Sequence, residues 1–177
     1  MSQNRTFETK RLLIKATSEE DAALIYQLLN TPKFIENVGD RKINSIEAAQ
    51  KYIQLKMLPQ LQELGFSSYT LITKADGIKI GTCGLYNRDG VDGIDIGFGL
   101  LPQYEGKGFA FEAATEIKNM AFTEFGLKTI SAITTKTNIG SQKLLEKLGL
   151  KLIGTTKIPN DNKELLLYKI EKESIVK

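Results

Sequence analysis

The chain has 177 residues, 41% of them hydrophobic and 25% charged, and its 24 basic and 21 acidic residues give a net charge of +3. These values exclude an intrinsically disordered chain and a disulfide-stapled mini-protein, and they give no reason to expect a nucleic-acid partner. The absence of histidine and the single cysteine exclude Ser-His-Asp hydrolysis and metal sites built from histidine or cysteine clusters.

The length predicts a single domain over residues 1–177, because so short a chain rarely divides into two. Its polar start lacks the apolar core of a signal peptide, and no apolar run is long enough to span a bilayer. We therefore predict a cytoplasmic protein with no membrane partner. Cys83 lies in an apolar strand pattern without a cationic neighbour, which predicts a buried structural thiol rather than a nucleophile.

The chain begins with an alternating pattern and continues with an amphipathic one. Residues 5–15 alternate in hydropathy and predict a first strand. Thr17 and Glu20 have the spacing of a capping box, so we predict a helix that begins there and ends at the breaker formed by residues 31–32.

A second helical region follows a segment that the pattern does not assign. Residues 33–42 are too mixed in hydropathy to predict an element. Asn44 and Glu47 form another capping-box pattern, which predicts a long helix ending at Gly65. Because proline removes a backbone donor, Pro59 predicts a kink within that helix or its break into two pieces.

The middle of the chain predicts three strands and then a strand–helix–strand unit. Residues 68–73, 78–86 and 94–101 are strand patterns joined by short turns, which favours an antiparallel meander. A helix over residues 107–125 and a strand over 129–135 follow. A strand, a helix and a strand in this order and length predict a right-handed crossover between two parallel strands.

The last part of the chain predicts a helix over residues 138–148, stopped by Gly149, and a hairpin of strands over 150–158 and 164–171. The complete pattern predicts an α+β fold with three layers. Its central sheet is mixed and mostly antiparallel, with one parallel crossover and with helices on both faces.

A short glycine-rich turn joins the central strand to the crossover helix. Gly106, Lys107 and Gly108 stand there, and glycines allow a ligand to approach the backbone N–H groups at a helix start. Gly106-Lys107 is followed by glycine rather than serine or threonine, so the turn is not a P-loop of the NTPases. Phe111 occupies the third small position of the dinucleotide fingerprint, which makes a Rossmann site a poor match.

The segment Gln103-Tyr104-Glu105-Gly106-Lys107-Gly108 resembles the acyl-CoA-binding motif Gln/Arg-x-x-Gly-x-Gly/Ala of the GCN5-related N-acetyltransferases (GNAT). The likeness extends over the chain. Residues 8–29 resemble the first strand and helix of this superfamily, 96–98 its central strand and 167–168 its closing strand. Residues 138–150 are similar to the N-x-x-S-x-x-x-x-E-x-L-G-F block of the RimJ/RimL-like branch of ribosomal-protein N-terminal acetyltransferases.

The resemblance implies transfer of an acetyl group from acetyl-CoA, as co-substrate, to a primary amine. The acceptor is either a protein N-terminal α-amine of the ribosomal-protein type or a small-molecule amine, and no metal is implied. In such a fold the pyrophosphate lies on backbone N–H groups of residues 106–110, and the pantetheine pairs with a central strand that splays from its parallel neighbour. The residues so assigned to the cofactor are Gly99, Leu100, Leu101, Gln103, Gly106, Lys107, Gly108, Phe109, Ala110, Asn138 and Ser141.

The catalytic residues are less well specified. Many relatives protonate the leaving thiolate with a tyrosine at a position that is Leu145 here, so we predict Ser141 as proton donor or thiolate partner, against the alternative of an ordinary helix-surface serine. Asp95 stands where relatives carry an acidic residue that acts as a base through water, against the alternative of a solvated aspartate beside a turn. Glu112 is either catalytic or merely favourable to the helix dipole. Glu105 would repel a pyrophosphate, so it either points to solvent or weakens CoA binding.

Two other classes of function stay open at this point. The missing tyrosine favours a non-catalytic acyl-CoA-binding or sensing domain as the alternative, and a nucleotide-binding module is a weaker one. The acceptor would be selected by residues 32–65 and by the final hairpin, whose sequences specify no substrate. The pattern also leaves a homodimer open.

Overall fold

The computed structural model describes residues 5–173. Eight strands form one sheet in the order β1-β2-β3-β4-β5-β6-β8-β7. The strands are β1 (Thr6–Glu8), β2 (Leu12–Ala16), β3 (Ser68–Thr73), β4 (Lys79–Tyr86), β5 (Asp95–Leu100), β6 (Thr129–Thr135), β7 (Lys151–Thr156) and β8 (Leu165–Glu171). The helices are α1 (Ala22–Leu29), α2 (Pro32–Asn37), α3 (Ile46–Tyr52), α4 (Leu58–Leu64), α5 (Phe109–Thr123) and α6 (Ile139–Lys147).

The sheet has one parallel pair. Strands β5 and β6 are parallel and are connected through α5, whereas all other neighbouring strands pair antiparallel. Helices cover both faces of the sheet. Phe98 of β5 packs into the core that contains α5, whereas a Cβ on the next residue, Gly99, would lie 3.6 Å from Leu28 of α1. The predicted mixed sheet with one parallel crossover is therefore confirmed.

Helix α5 is held close to the sheet by small side chains. Ala113, Ala114 and Ala121 are fully buried, and Ile117 fills the space between the helix and strands β2, β4, β5 and β6. This packing is the expected result of an apolar stripe at helical spacing. It fixes where the N-terminus of α5 lies relative to the end of β5.

Several predicted boundaries are correct to within two residues. Strands β3 and β6 have the predicted bounds, and the remaining elements after residue 78 are shorter than predicted by one or two residues at an end. Helix ends differ by that amount because the last turn has few intrahelical hydrogen bonds.

The start of the chain differs from the prediction. Residues 5–15 form a hairpin of β1 and β2 rather than one strand, and Phe7 of β1 pairs with Ile14 of β2. The turn is closed by Thr9, whose backbone N–H donates to Leu12 O at 2.9 Å. The alternating pattern runs across this turn, and for that reason periodicity alone does not reveal it.

Both predicted helix caps are displaced by one residue, and only the first forms a capping box. Ser18, not Thr17, precedes the first helical turn, and its backbone N–H donates to Asp21 Oδ2 at 2.9 Å. Thr17 is buried, and its Oγ1 lies 3.0 Å from Thr70 Oγ1. Adjacent residues of similar capping propensity are equivalent in sequence, and burial of the first one decides between them.

The region before the second long helix holds an additional short helix. Thr31 caps α2 by accepting a hydrogen bond from the backbone N–H of Phe34 at 3.2 Å, so Pro32 begins a helix here rather than only ending one. Ser45, not Asn44, caps α3. Both differences arise because residues with capping and breaking roles are adjacent.

The predicted break at Pro59 is confirmed. A π-helical segment, Ile53–Met57, separates α3 from α4, and Pro59 is the second residue of α4. Gly65 ends α4 with a φ of 83°, a left-handed conformation that glycine adopts without strain. Within residues 5–173 no helix is both long and apolar enough to cross a bilayer.

Candidate functional site

The central feature of the site is a gap between the two parallel strands. Their register contains one residue pair, Asp95 with Ser131, and Ser131 N donates to Ile94 O at 2.9 Å. Beyond this point the strands diverge, while β5 stays paired with β4 as far as Leu100. The side of β5 that faces the gap therefore presents backbone groups to a ligand instead of to a strand.

The gap leads into a cleft of about 340 Å³. Its walls come from the β5–β6 junction, from α2, from the π-helical segment and from the ends of β4 and α6. Four of the predicted site residues lie in it together, namely Gly99, Asp95, Asn138 and Ser141. The other predicted cofactor residues are not part of its lining.

The glycine-rich turn lies at the N-terminus of α5. Gly106 and Gly108 have φ values of 73° and 84°, and Gly108 is the N-cap residue. Because glycine offers no capping side chain, the N–H groups of the first helical turn lack that partner. Gly106, Lys107 and Gly108 are all exposed. This arrangement fits an anion such as a pyrophosphate.

Arg11 supports this turn from the other side, and sequence reasoning did not identify it. Its Nη1 donates to Lys107 O at 3.0 Å, and its guanidinium lies 4.1 Å from the centre of the Phe109 ring. Its Nε donates to Glu112 Oε1 at 2.8 Å. Arg11 thus connects the β1–β2 turn to the first turn of α5.

Glu112 is a structural partner rather than a group poised for chemistry. It accepts hydrogen bonds from Thr9 Oγ1 and from the backbone N–H of Arg11, as well as from the Arg11 side chain. Burial alone would raise the pKa of Glu112, but the hydrogen bonds from Thr9 and Arg11 outweigh it and lower the pKa. The carboxylate is therefore held ionised as a clamp between α5 and the start of the chain.

The negative charge of Glu105, next to the glycine turn, is partly compensated by a lysine. Its carboxylate lies 3.1 Å from Lys33 Nζ on α2, and 36% of the side chain is exposed. The expectation that Glu105 points to solvent agrees with this geometry. A neighbouring cation further reduces the repulsion that the carboxylate exerts on an anion in the turn.

Asp95 is buried at the point where the two strands separate. The residue is 1% exposed, its Oδ2 accepts from Arg88 Nε at 3.2 Å, and its Oδ1 has no hydrogen-bond partner among residues 5–173. The alternative of a solvated aspartate beside a turn is therefore wrong. Burial raises the pKa of Asp95, and the Arg88 guanidinium offsets only part of that rise.

Asn138 and Ser141 lie on the opposite wall of the cleft. Asn138 Oδ1 accepts from Ser141 N at 3.2 Å and caps α6, as its position in the sequence predicts. Ser141 is half-buried and its hydroxyl makes no hydrogen bond within the described part of the chain. Leu145, one turn later, is 1% exposed and belongs to the core.

Three further side chains with titratable groups, one thiol and two phenols, are fully or partly buried. Burial raises the pKa of Cys83 to about 12, in agreement with the predicted structural thiol. Tyr86 lines the cleft, and burial raises its pKa as well, against a lowering hydrogen bond to Ser68. Tyr168 is 1% exposed and packs in the core. Within residues 5–173 no cluster of three or more His, Cys, Asp or Glu side chains could hold a metal ion.

The candidate site therefore consists of a glycine-rich turn at a helix N-terminus, the edge of β5 where it separates from β6 and a cleft that contains a buried carboxylate. Comparison with known proteins gives the family of the chain. The model of the acetyltransferase (GNAT) domain matches residues 11–151. The uncharacterized N-acetyltransferase p20 of Bacillus licheniformis is 30% identical over 151 residues, which are 84% of each chain.

Solved structures share the fold at low sequence identity. An acetyltransferase from Agrobacterium tumefaciens str. C58 superimposes with a TM-score of 0.80 at 21% identity over 95% of both chains. RimL, a ribosomal L7/L12 α-N-protein acetyltransferase solved in complex with coenzyme A, gives a TM-score of 0.80 at 14% identity over 94% of this chain and 98% of its own. Because the family model and the p20 relative both extend over most of the chain, the protein belongs to the GNAT acetyltransferase family.

Proposed function

We propose that the protein is an acetyl-CoA-dependent N-acetyltransferase that acts on a primary amine. The observation that carries the proposal is the separation of β5 from β6 directly after Asp95. This separation leaves a strand edge, suited to an amide-bearing ligand, beside a buried carboxylate of which one oxygen has no hydrogen-bond partner among the described residues. A thioester and an amine need those two features at one point.

The donor is bound along the path from the glycine turn to the gap. Backbone N–H groups of residues 106–110 hold the pyrophosphate, and the Lys107 side chain adds positive charge. Residues 99–101 offer the strand edge to the pantetheine amides. Gln103 precedes the turn on the exposed surface, and Asn138 contacts the donor from the far wall.

Asp95 serves as the base. An acceptor arrives as an ammonium ion and transfers one proton to Asp95, directly or through a water molecule. A buried carboxylate with a raised pKa accepts that proton more readily than a solvated one. Arg88, at 3.2 Å from Oδ2, leaves Oδ1 as the oxygen that receives it.

Acetyl transfer then follows in a balanced sequence. The neutral amine nitrogen forms a bond to the thioester carbonyl carbon, and the C–S bond breaks when the tetrahedral intermediate collapses. The Ser141 hydroxyl hydrogen-bonds to the departing thiolate and passes its proton to the sulfur, while its oxygen takes the second proton of the amine nitrogen, so that Ser141 ends the cycle as a neutral hydroxyl. The proton on Asp95 returns to solvent.

The acceptor is a protein N-terminal α-amine of the ribosomal-protein type or a small-molecule amine. Residues 138–150 support the RimJ/RimL-like branch because they match its Asn-Ser-Glu-Leu-Gly block. RimL has the same fold, which is consistent with placing this chain in the RimJ/RimL-like branch.

A second candidate is an acyl-CoA-binding domain without catalysis. One observation favours it: Leu145, in the position of the tyrosine of many relatives, is a buried core residue. In this candidate the same turn and strand edge bind the donor, and no amine is acetylated.

Release of coenzyme A thiol separates the two candidates. The purified protein is incubated with acetyl-CoA and a panel of amines that contains N-terminal peptides, amino acids and polyamines. Thiol release that depends on an amine, with a loss of activity in Asp95→Asn, supports the enzyme. Binding of CoA without turnover on any amine supports the acyl-CoA-binding domain. Thermal stabilisation of the protein by ATP but not by CoA would contradict both the enzyme and the acyl-CoA-binding domain.

A further inference from the structure

The cleft carries more positive than negative charge. Besides two tyrosines, its lining contains five acidic or basic residues, namely Arg41, Lys56, Arg88, Asp95 and Asp161. Arg88 and Asp95 form an ion pair with each other. Of the other three, two are cations and one is a carboxylate.

The two cations have no acidic partner. Within residues 5–173 neither Arg41 nor Lys56 takes part in a salt bridge or in a side-chain hydrogen bond. Arg41 is nevertheless half-buried. A guanidinium that has lost part of its hydration without gaining an acceptor costs free energy, and a ligand carboxylate would offset that cost.

The segments that present these cations are fixed in place. The loop of Arg41 is tied to the end of α1 by Asn30, whose Nδ2 donates to Ile43 O at 2.8 Å. Within the loop, Asp40 Oδ1 accepts from Lys42 N at 2.8 Å. The cation is therefore presented by a loop with one bond to α1 and one internal bond. Its position is a property of the folded chain, not of a freely moving tail.

Lys56 is an exposed residue of the π-helical segment 53–57 and, with Met57, is part of the cleft lining. The segment is followed by Gln60, whose side chain donates to Leu85 O at 2.8 Å and accepts from Asn87 N at 3.0 Å. These bonds anchor the helix on β4. Single π-helical turns of this kind are frequent at functional sites.

Apart from Asp95, which pairs with Arg88, the cleft lining contains one carboxylate, that of Asp161. Asp161 Oδ1 accepts a hydrogen bond from the backbone N–H of Lys163 at 2.9 Å, so it is partly engaged in its own turn. A polyamine brings further cations beside the reacting amine and would face Arg41 and Lys56 with one carboxylate in compensation. An acceptor that carries a carboxylate is matched instead.

Resting on the N-acetyltransferase function proposed above, we infer that the acceptor amine carries a carboxylate that Arg41 and Lys56 bind. The carboxylate can belong to an amino acid-like small molecule or to an acidic side chain near a peptide N-terminus. Both present the same chemistry to these two cations, since arginine and lysine bind carboxylates through charge-assisted hydrogen bonds. The glycine turn is not part of this lining, which separates this anion site from the pyrophosphate site.

The test compares acceptors that differ in one group. The first arm pairs an amino acid with its amide, the second pairs N-terminal peptides that carry Glu or Gln at the second position, and spermidine is the polycation. We expect kcat/KM to be about tenfold higher or more for the carboxylate member of the pair that represents the true source. In the double variant Arg41→Gln, Lys56→Gln the ratio falls toward one, because kcat/KM decreases much more for the carboxylate acceptor than for its amide.

Lys51→Gln is the matched control, because Lys51 is exposed on α3 and is not part of the cleft lining. This variant keeps the wild-type ratio. Equal rates for carboxylate and amide acceptors, or a preference for spermidine, overturn the inference and leave the N-acetyltransferase function standing. A weaker Kd for CoA in the double variant also overturns it, since the cations would then serve the donor. If no amine is acetylated, both proposals fall.

Discussion

Gly106 offers the sharpest test of the pyrophosphate assignment. Its φ of 73° is unfavourable for any other residue, but a Cβ there would meet nothing within 4 Å. Gly106→Glu therefore adds a carboxylate beside the anion-binding turn without a clash. Gly108 is the poorer choice, because its Cβ would approach Arg11 Nη2 at 3.3 Å and disturb the clamp.

Gly77 provides a matched control. It has a φ of 70°, is exposed and also has open space at the Cβ position, but it lies in the turn between β3 and β4. A side chain in the left-handed region costs roughly 1–2 kcal/mol, so Gly106→Glu and Gly77→Glu should lower the free energy of unfolding by similar amounts. Any difference in CoA binding between them then reports the location of the charge.

The expected size of that difference follows from electrostatics. Two unit charges about 6 Å apart repel each other by about 1–3 kcal/mol between the dielectric constants of water and of a protein surface. This range corresponds to a roughly 5- to 150-fold increase in Kd for CoA. The neutral variant Gly106→Gln should lose much less affinity for CoA. Added salt should reduce the difference in Kd between Gly106→Glu and Gly106→Gln.

Isothermal titration calorimetry with CoA and urea unfolding of the three variants and the wild type measure these quantities. The reasoning is refuted if Gly106→Glu binds CoA as tightly as Gly77→Glu while both remain folded. It is also refuted if Gly106→Gln and Gly106→Glu lose the same affinity, because the loss would then come from shape and not from charge.

Three further predictions concern the cleft and the clamp. Because the folded-state pKa of Asp95 is raised, the stability of the wild type relative to Asp95→Asn should fall as the pH rises through that pKa; a constant difference in urea unfolding would contradict this. The pKa of Glu112 is lowered in the folded state, so its ionised carboxylate stabilises the fold above the pKa of the unfolded chain. This stabilisation is lost as the pH falls through the pKa of the folded state. Glu112→Gln should accordingly have a free energy of unfolding about 1–3 kcal/mol below that of the wild type near neutral pH. If this difference stays the same at acidic pH, the clamp is refuted. Ser141→Ala should lower kcat about tenfold or more with little change in KM for acetyl-CoA, whereas the exposed control Lys143→Ala should not; equal kcat in both would remove Ser141 from the chemistry.

Much of the donor side could be predicted from local sequence. The period of the apolar residues changes from two to 3.6 at the glycine turn, and this change alone locates β5, α5 and the helix N-terminus between them. Asn138 begins the helix predicted over residues 138–148 and caps it, since its partner Ser141 lies three residues away. Features that depend on neighbours in the chain are those that pattern reasoning recovers.

The acceptor side and the clamp depend on contacts between distant residues. Arg11 and Glu112 are separated by 101 positions, and no periodicity links a residue of the β1–β2 turn to the first turn of α5. Asp95 follows closely after a polar turn over residues 88–93, which favoured a solvated position equally. Its burial arises from the sheet around it, because β5 lies between β4 and β6 at that residue.

Transfer of a labelled acetyl group is the direct test of acetyl transfer from acetyl-CoA to an amine. The protein is incubated with deuterated acetyl-CoA and with the carboxylate-bearing amino acids and peptides, and the acceptors are then analysed by mass spectrometry. We predict a deuterated acetyl group on the acceptor nitrogen, formed at a much lower rate by Asp95→Asn. Bound CoA together with unlabelled acceptors throughout the amine panel would contradict the enzyme and leave the acyl-CoA-binding domain.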